Sequence, residues 1–149
     1  MKKHVFLVLG YLFLIGMGFT GCQKSGSDTP KTKTELITQS SWKFDNAKAS
    51  GTDVSSYITA CQKDNIVTFS SNGSGNVNES TIICSPPTAA TFTWTLQSNE
   101  TVLNISTVLF AGGSSNFNLI LLDDTQLVVS QDITISVGVT QNVVVTFKH

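Results

Sequence analysis

Residues 91–97 read Thr-Phe-Thr-Trp-Thr-Leu-Gln, with a large apolar side chain at every second position and a polar residue between. A period of two places Phe92, Trp94 and Leu96 on one face of an extended strand and the threonines on the other. Helical spacing of apolar residues is hard to find after residue 35. The pattern therefore predicts an all-β domain whose sheet has one buried face.

Turn-forming clusters of Ser, Asn, Gly, Pro and Asp divide this part of the chain into short segments. Strands are predicted at 41–49, 64–70, 74–80, 90–97, 101–107, 115–122, 125–132 and 142–148. Residues 133–141 either extend the seventh strand or form a short extra one. Residues 53–60 are expected to form a helical turn with Asp53 as its N-cap, fastened by Cys61. Eight short antiparallel strands predict a barrel or a sandwich, and we favour an up-and-down barrel because closure removes exposed strand edges.

The first 21 residues resemble a secretion signal. A short basic start is followed by an apolar run over residues 5–19, which is shorter than the ~20 residues that cross a bilayer. Phe19-Thr20-Gly21-Cys22 resembles the processing site of bacterial lipoproteins, in which small residues precede the cysteine that receives the lipid. We therefore expect residues 1–21 to be removed and Cys22 to be lipidated. The alternatives are an ordinary signal peptide or an uncleaved anchor.

Residues 22–35 are predicted to be the lipidated cysteine and a flexible tether, because the segment is polar and contains Gly26 and Pro30. Residues 36–149 then form one small domain. Attachment through Cys22 would hold this domain at the cell envelope, on the inner or outer membrane. We expect the domain to be a monomer.

The charge balance argues against a nucleic-acid partner. The chain has no arginine, and two of its nine lysines lie in the predicted signal. The part from Cys22 onward therefore has seven lysines against ten acidic residues, a formal charge of −3. Phosphate binding requires clustered lysine and arginine.

Cys61 and Cys84 remain as a pair once Cys22 is assigned to lipid. In an exported domain an even pair of cysteines predicts a disulfide. Such a bridge would close a loop of 23 residues and contribute roughly 3 kcal/mol. Two buried free thiols or half of a metal site are the alternatives. A metal site is disfavoured because the domain has a single histidine, His149, and neither cysteine belongs to a CxxC motif.

The order of several short motifs resembles the lipocalin-like domains of small bacterial lipoproteins. The motifs are Ser41-Trp42-Lys43, Cys61-Gln62-Lys63-Asp64-Asn65, Thr68-Phe69-Ser70-Ser71-Asn72-Gly73, Cys84, and Thr93-Trp94-Thr95-Leu96. The resemblance covers most of residues 36–148. It implies a meander barrel with a cysteine pair, and it implies no enzymatic activity, because such domains have no agreed catalytic residues. The present domain is much shorter than a full lipocalin.

Catalysis, cofactors and metals are not expected. A Cys–His or Ser–His pair needs a histidine within reach, and His149 is the last residue. The sequence contains no HExxH, P-loop or GxGxxG motif. We therefore expect a non-catalytic binding or structural module of the envelope.

Large apolar side chains are expected to face the interior of the barrel. This inward set is Trp42, Phe44, Val67, Phe69, Phe92, Trp94, Leu96, Leu103, Ile105, Phe117, Leu119, Leu121, Leu127, Val129, Val145 and Phe147. Candidate ligand-binding residues for a small apolar ligand are Trp42, Phe44, Phe69, Phe92, Trp94 and Phe117. The alternative is that these side chains fill the core, leaving a structural module or one that contacts envelope proteins or glycans. Their volume favours filling, because an eight-stranded interior is just wide enough for its own side chains.

Overall fold

The structure, a computed structural model, describes residues 29–149, except for the side chains of residues 135 and 136. The predicted signal and Cys22 lie outside the described residues. The helices are α1 (Lys33–Thr38), a 3-10 turn (Ser55–Tyr57) and α2 (Ala60–Asp64). The strands are β1 (Trp42–Ala49), β2 (Thr52–Asp53), β3 (Ile66–Phe69), β4 (Ser74–Asn78), β5 (Ala90–Gln97), β6 (Val102–Ile105), β7 (Asn116–Leu122), β8 (Gln126–Ser136) and β9 (Val139–Lys148). No helix within residues 29–149 is long and apolar enough to cross a membrane.

Eight of the strands close into an antiparallel barrel. Strands β3 to β9 pair in chain order, and β1 completes the ring by pairing with β3 through Trp42 and Val67. The other edge of β1 pairs with β9, where Ala47 lies opposite Val145. The two-residue strand β2 adds a short hairpin to the end of β1. The predicted lipocalin-like meander barrel is confirmed.

The strand boundaries differ from the prediction mainly at two places. Residues 133–136 extend the seventh predicted strand, because β8 continues to Ser136, and residues 139–141 extend the eighth, because β9 begins at Val139. Helix α2 includes Asp64, so β3 begins only at Ile66. The predicted helical turn is present at Ser55–Tyr57, with Val54 as its N-cap. Asp53 still supports this turn, because its Oδ1 accepts a hydrogen bond from the Ser55 amide at 2.8 Å.

The alternating apolar residues form one core, with one error in the predicted inward set. Leu121 is 41% exposed. A β-bulge in β7 leaves Ile120 without a partner between Leu119 and Leu121. One extra residue reverses the side-chain phase, because successive side chains point to opposite faces of a strand. Within the set, Phe44, Leu96 and Leu119 are only half-buried, and the other twelve side chains are buried.

A second β-bulge occurs in β1, between Phe44 and Asn46. Before it, Trp42 faces the core. After it, the inward positions change from even to odd numbers, so Ala47 and Ala49 are buried. These small residues were not predicted to face inward.

Helix α1 covers one end of the barrel, which we call the closed end. Its N-terminus is a capping box, in which Thr32 accepts from the Glu35 amide and the Glu35 carboxylate accepts from the Thr32 amide. Ile37 is fully buried, and its carbonyl accepts a 2.8 Å hydrogen bond from Trp42 Nε1. The helix begins at Lys33, inside the segment assigned to the tether.

The opposite end, which we call the mouth, carries longer segments between the strands. Because neighbouring strands are antiparallel, the connections at 50–65, 79–89 and 106–115 and the turn at 137–138 all meet there. Six of the eight large apolar residues that are exposed in the described chain lie in or next to these connections. They are Tyr57, Ile82, Ile83, Val108, Val137 and Val139. The mouth is therefore the more apolar end of the surface.

Candidate ligand-binding pocket at the mouth

The centre of the barrel is filled by its own side chains. The cavity that remains there has a volume of about 10 Å³ and is lined by core residues including Trp42, Phe69 and Phe117. A volume of this size is about the minimum that holds one water molecule. The central core therefore has no space for a small-molecule ligand.

A larger pocket lies at the mouth, with a volume of about 320 Å³. Ligand pockets usually begin at roughly 300 Å³ and combine apolar walls with a few polar groups. The lining follows that pattern and contains no charged side chain. The lining residues are Phe44, Gln62, Asn65, Val67, Val77, Pro87, Thr88, Ala89, Ala90, Thr107, Val108, Leu109, Phe110 and Phe147. We call this space the mouth pocket.

Three side chains lie between the mouth pocket and the central cavity, because Val67, Leu109 and Phe147 line both spaces. Val67 and Phe147 belong to strands, whereas Leu109 belongs to the connection 106–115. Leu109 is therefore the one side chain of this boundary that a connection, and not a strand, places there.

Residues 112–114 of the connection 106–115 are hydrogen-bonded to β8. The Thr134 amide donates to the Gly112 carbonyl at 2.9 Å, and the Ser114 amide donates to Gln131 Oε1 at 2.7 Å. Gly112 has a φ of +77°, and a Cβ at this position would lie 2.2 Å from the Thr134 carbonyl oxygen. A glycine is therefore required for this close approach. Phe110 also packs against Phe117, with ring centroids 6.3 Å apart.

The segment 79–88 contributes Pro87 and Thr88 to another wall of the pocket, and it contains no helix or strand. Cys84 forms a disulfide with Cys61, with their Cα atoms 5.2 Å apart, so the predicted bridge is confirmed. Asp64 Oδ2 accepts hydrogen bonds from the amides of Thr81 and Ile82. The first of these residues also donates its hydroxyl to the same oxygen at 2.9 Å.

Glu79 holds the other end of this segment. Its Oε1 accepts from the Cys84 amide at 3.1 Å, the Thr88 amide at 2.7 Å and the Thr88 hydroxyl at 2.9 Å. These bonds favour the ionised carboxylate. The bond from the Thr88 amide is the main cause that holds the pKa of Glu79 below its ordinary value. The bond from the Ile82 amide does the same for the pKa of Asp64.

Asn65 and Thr88 extend this network to the pocket. Asn65 Nδ2 donates to Thr88 Oγ1 at 2.9 Å, and the Thr88 hydroxyl in turn donates to Glu79. The other amide atom, Asn65 Oδ1, is buried and has no hydrogen-bond partner among the residues that the structure describes. Buried polar groups without a partner are rare in folded proteins, and they often mark a site where another group binds.

The structure places the six candidate ligand-binding residues in three different environments. Phe44 lines the mouth pocket, whereas Trp42, Phe69 and Phe117 line the small central cavity. Phe92 and Trp94 line neither space and pack edge-to-face on Phe69, with centroids 5.5 and 5.6 Å away.

Sequence reasoning missed Asn65, Thr88 and the Val108-Leu109-Phe110 run as pocket residues. Three consecutive apolar residues at the start of a connection are a usable signal, because an exposed connection rarely carries them. Nothing local distinguishes Asn65 or Thr88 from the many other polar residues of this chain. Within residues 29–149 no three His, Cys, Asp or Glu side chains group closely enough to hold a metal ion.

Comparison with known proteins gives one family match. The family model described as a lipocalin-like domain matches residues 39–129. This range covers more than half of the 149 residues and runs from just before β1 into β8. A search of curated proteins finds no match to the chain.

Proposed function

The chain belongs to the lipocalin-like domain family, and we propose that it is an envelope lipoprotein whose non-catalytic barrel binds a small apolar molecule in the mouth pocket. The observation that carries the proposal is the pocket itself, 320 Å³ in volume with mainly apolar walls. The central core is excluded as the site because its cavity measures about 10 Å³. Binding would therefore occur at the rim of the barrel.

The proposed anchor at Cys22 fits the position of the pocket. The described chain starts at the closed end, where Lys31 contacts Asp124 and Lys33 Nζ donates to the Glu100 carbonyl at 2.6 Å. A lipid on Cys22 would therefore attach the barrel by its closed end. The mouth would then point away from the bilayer, and its ligand would arrive from the aqueous side.

The roles of the carboxylates support a non-catalytic domain. Glu35, Asp53, Asp64, Glu79 and Asp123 each accept backbone amide hydrogen bonds in turns, caps or loops, and the pKa of each carboxyl lies below its ordinary value. A general acid or base at neutral pH is most effective with a pKa of about 7, and these shifts move the carboxyl groups away from it. These groups therefore act as fixed acceptors that shape the backbone.

The second candidate function is a structural or protein-binding module. The observation that favours it is the exposed apolar surface of the mouth, where Ile83 is 72% and Val137 102% exposed. Clustered apolar surface marks many sites of protein association. In that case the mouth pocket would be part of a contact surface.

Ligand binding is tested by titrating the chain from residue 22 onward, carrying Cys22→Ser, with 1-octanol in a calorimeter. This form keeps every residue of the barrel and needs no detergent. We expect saturable binding that Ala89→Trp, which places a large side chain at a lining position, abolishes. Ala60→Trp places the same side chain at an exposed position that does not line the pocket, and it should leave binding unchanged. Failure of 1-octanol to bind, or binding unaffected by Ala89→Trp, would reject the proposed site.

The anchor is tested in cells that express the full chain with an alkyne-labelled fatty acid. We expect the label on the wild-type chain and its loss in Cys22→Ser. A wild-type chain that is processed normally and carries no label would contradict the lipoprotein assignment.

A further inference from the structure

Resting on the proposed ligand site, we propose that residues 59–65 and 79–88 form one movable flap that closes over a ligand in the mouth pocket. We call these two segments together the flap. The structural basis is the position of the cross-links at the mouth. They join the two segments to each other, and within the described part of the chain none joins them to the connection 106–115.

The flap is cross-linked internally. The disulfide described above joins its two segments. Asp64 Oδ2 accepts hydrogen bonds from the Thr81 and Ile82 amides at 2.6 and 2.8 Å. Nearer the strands, Asn65 Nδ2 donates to Thr88 Oγ1 at 2.9 Å. Because a covalent bond and several hydrogen bonds hold the two segments together, we expect the flap to move as one body.

Other parts of the pocket wall are held in place separately. They include Phe44 on β1, Phe147 on β9 and residues 107–110 of the connection 106–115, which is hydrogen-bonded to β8. Within residues 29–149 no hydrogen bond or ion pair joins the flap to β1, to β9 or to this connection. The flap itself contributes to the lining Gln62, Asn65, Pro87 and Thr88. The pocket therefore lies between parts of the chain that are not fastened to each other.

The flap meets the barrel at the ends of strands. The chain that precedes it is bonded to β1, because the Val54 amide donates to the Ala47 carbonyl at 2.9 Å, and α2 begins at Ala60. The other ends of the flap continue into β3, β4 and β5, which pair with one another in chain order. Changes in the backbone angles at these ends would move the flap and leave the strand pairs in place, as hinges do.

A ligand gives the flap a reason to close. On the flap Ile82 is 47% and Ile83 72% exposed, and Val108 on the connection 106–115 is 55% exposed. Closure over an apolar ligand can bury part of this surface, which is favourable. A ligand that makes these contacts only when the flap is closed shifts the population towards the closed position.

The motion is tested by pulsed electron paramagnetic resonance on the chain from residue 22 onward with Cys22→Ser. Nitroxide labels on p-acetylphenylalanine leave the disulfide intact, and each pair of labels replaces two exposed residues. The pair at Ser80 and Gln141 measures the distance between the flap and β9. We expect a broad distribution in the free chain, which narrows and shifts by more than about 2 Å when 1-octanol saturates the chain. The pair at Ala60 and Ser80 lies within the flap and should stay narrow in both states.

One substitution tests whether the flap is a single body. Asp64→Ala removes the acceptor of two backbone amides, so the distribution for Ala60 and Ser80 should broaden. Asp132→Ala, at an exposed position on β8, is the matched control and should leave this distribution narrow. An equally narrow distribution in Asp64→Ala and in the parent chain would contradict the role of Asp64 in holding the flap together.

The outcomes separate this inference from the proposed function. A single narrow distance between Ser80 and Gln141 in the free chain would overturn the flap, whether or not 1-octanol binds. A broad distribution that saturation with 1-octanol leaves unchanged would overturn it as well. If calorimetry detects no binding of 1-octanol while the distribution is broad, the proposed site and closure over it are rejected, whereas movement of the flap is supported.

Discussion

At the closed end of the barrel, helix α1 (Lys33–Thr38) places the fully buried Ile37 against Trp42, and short turns connect the strands. At the mouth, long connections are held by a disulfide and by carboxylates that accept backbone amides. Packed side chains fill the closed end. At the mouth the connections are held by hydrogen bonds and a disulfide at the surface, and the space below them is not filled by side chains. The difference explains why one end contributes mainly stability and the other can contribute a site.

The largest effect is expected when the packing at the closed end is broken. Ile37→Ala removes a fully buried side chain, which typically costs about 2–5 kcal/mol of the free energy of unfolding. Urea unfolding measures this loss, and the affinity for 1-octanol should stay unchanged. Ile120→Ala, at a site that is 56% exposed, serves as the control and should cost less than about 1 kcal/mol. A loss of binding in Ile37→Ala under folding conditions would show that the two ends are not independent.

The next largest effect is expected from the disulfide at the mouth. The Cys61→Ala, Cys84→Ala double variant releases a closed loop of 23 residues and should cost about 3 kcal/mol in the free energy of unfolding. Unlike Ile37→Ala, it should also weaken binding of 1-octanol, because segment 79–88 forms a wall of the pocket. Reduction of the parent chain under native conditions is the matched control and should reproduce both effects. Binding that is unchanged after loss of the bridge would exclude this wall from the site.

How far the sequence predicts each end depends on the range of the interactions. The period of two identifies most strands, because every second residue of a strand with one buried face is apolar, as Phe92 and Trp94 are. The cysteine pair was also predictable. The bulge at Ile120 was not, because residues 119–122 are all apolar and show no alternation that could reveal an extra residue.

The closed end and the mouth were missed for different reasons. Helix α1 has only six residues, too few to show a helical period, although its capping box at Thr32 and Glu35 is visible in the sequence. The mouth pocket depends on where connections distant in sequence meet. Leu109 lies next to Val67 and Phe147 only because the barrel is closed. Such contacts leave no local pattern.

A smaller effect is expected at the boundary between the two regions. Leu109→Ala removes one of the side chains that lie between the mouth pocket and the core, so the pocket should become deeper. 1-Decanol has two more methylenes than 1-octanol, and burying them at about 0.8 kcal/mol each should raise its relative affinity about tenfold over the parent ratio. Calorimetric titration measures that ratio. Leu121→Ala, at a residue on the outer surface, should leave the ratio unchanged. The same ratio in Leu109→Ala and the parent would mean that the core does not open.

The smallest effect concerns pH, and it acts on both ends through exposed carboxylates. The pKa is lowered for Glu35 and Asp123 at the closed end and for Asp53, Asp64 and Glu79 at the mouth, in each case mainly by a backbone hydrogen bond. Because the folded pKa lies below the unfolded one, the stabilisation is fully present above the unfolded values, about 4. It is lost as the pH falls through the still lower folded values.

The two ends should nevertheless respond to acid differently. At the closed end Ile37 and Trp42 continue to pack when Glu35 is protonated, whereas segment 79–88 depends on Asp64 and Glu79 for most of its backbone contacts. Hydrogen exchange followed from about pH 5 down to about pH 3 should therefore show the amides of Thr81, Ile82 and Thr88 losing protection before those of β9. Asp64→Asn should also reduce the protection of the Thr81 and Ile82 amides at neutral pH. Asp132→Asn, on β8, is the control and should leave their protection unchanged. Simultaneous loss of protection along the whole barrel would mean that the carboxylates stabilise the fold as one unit and not the mouth in particular.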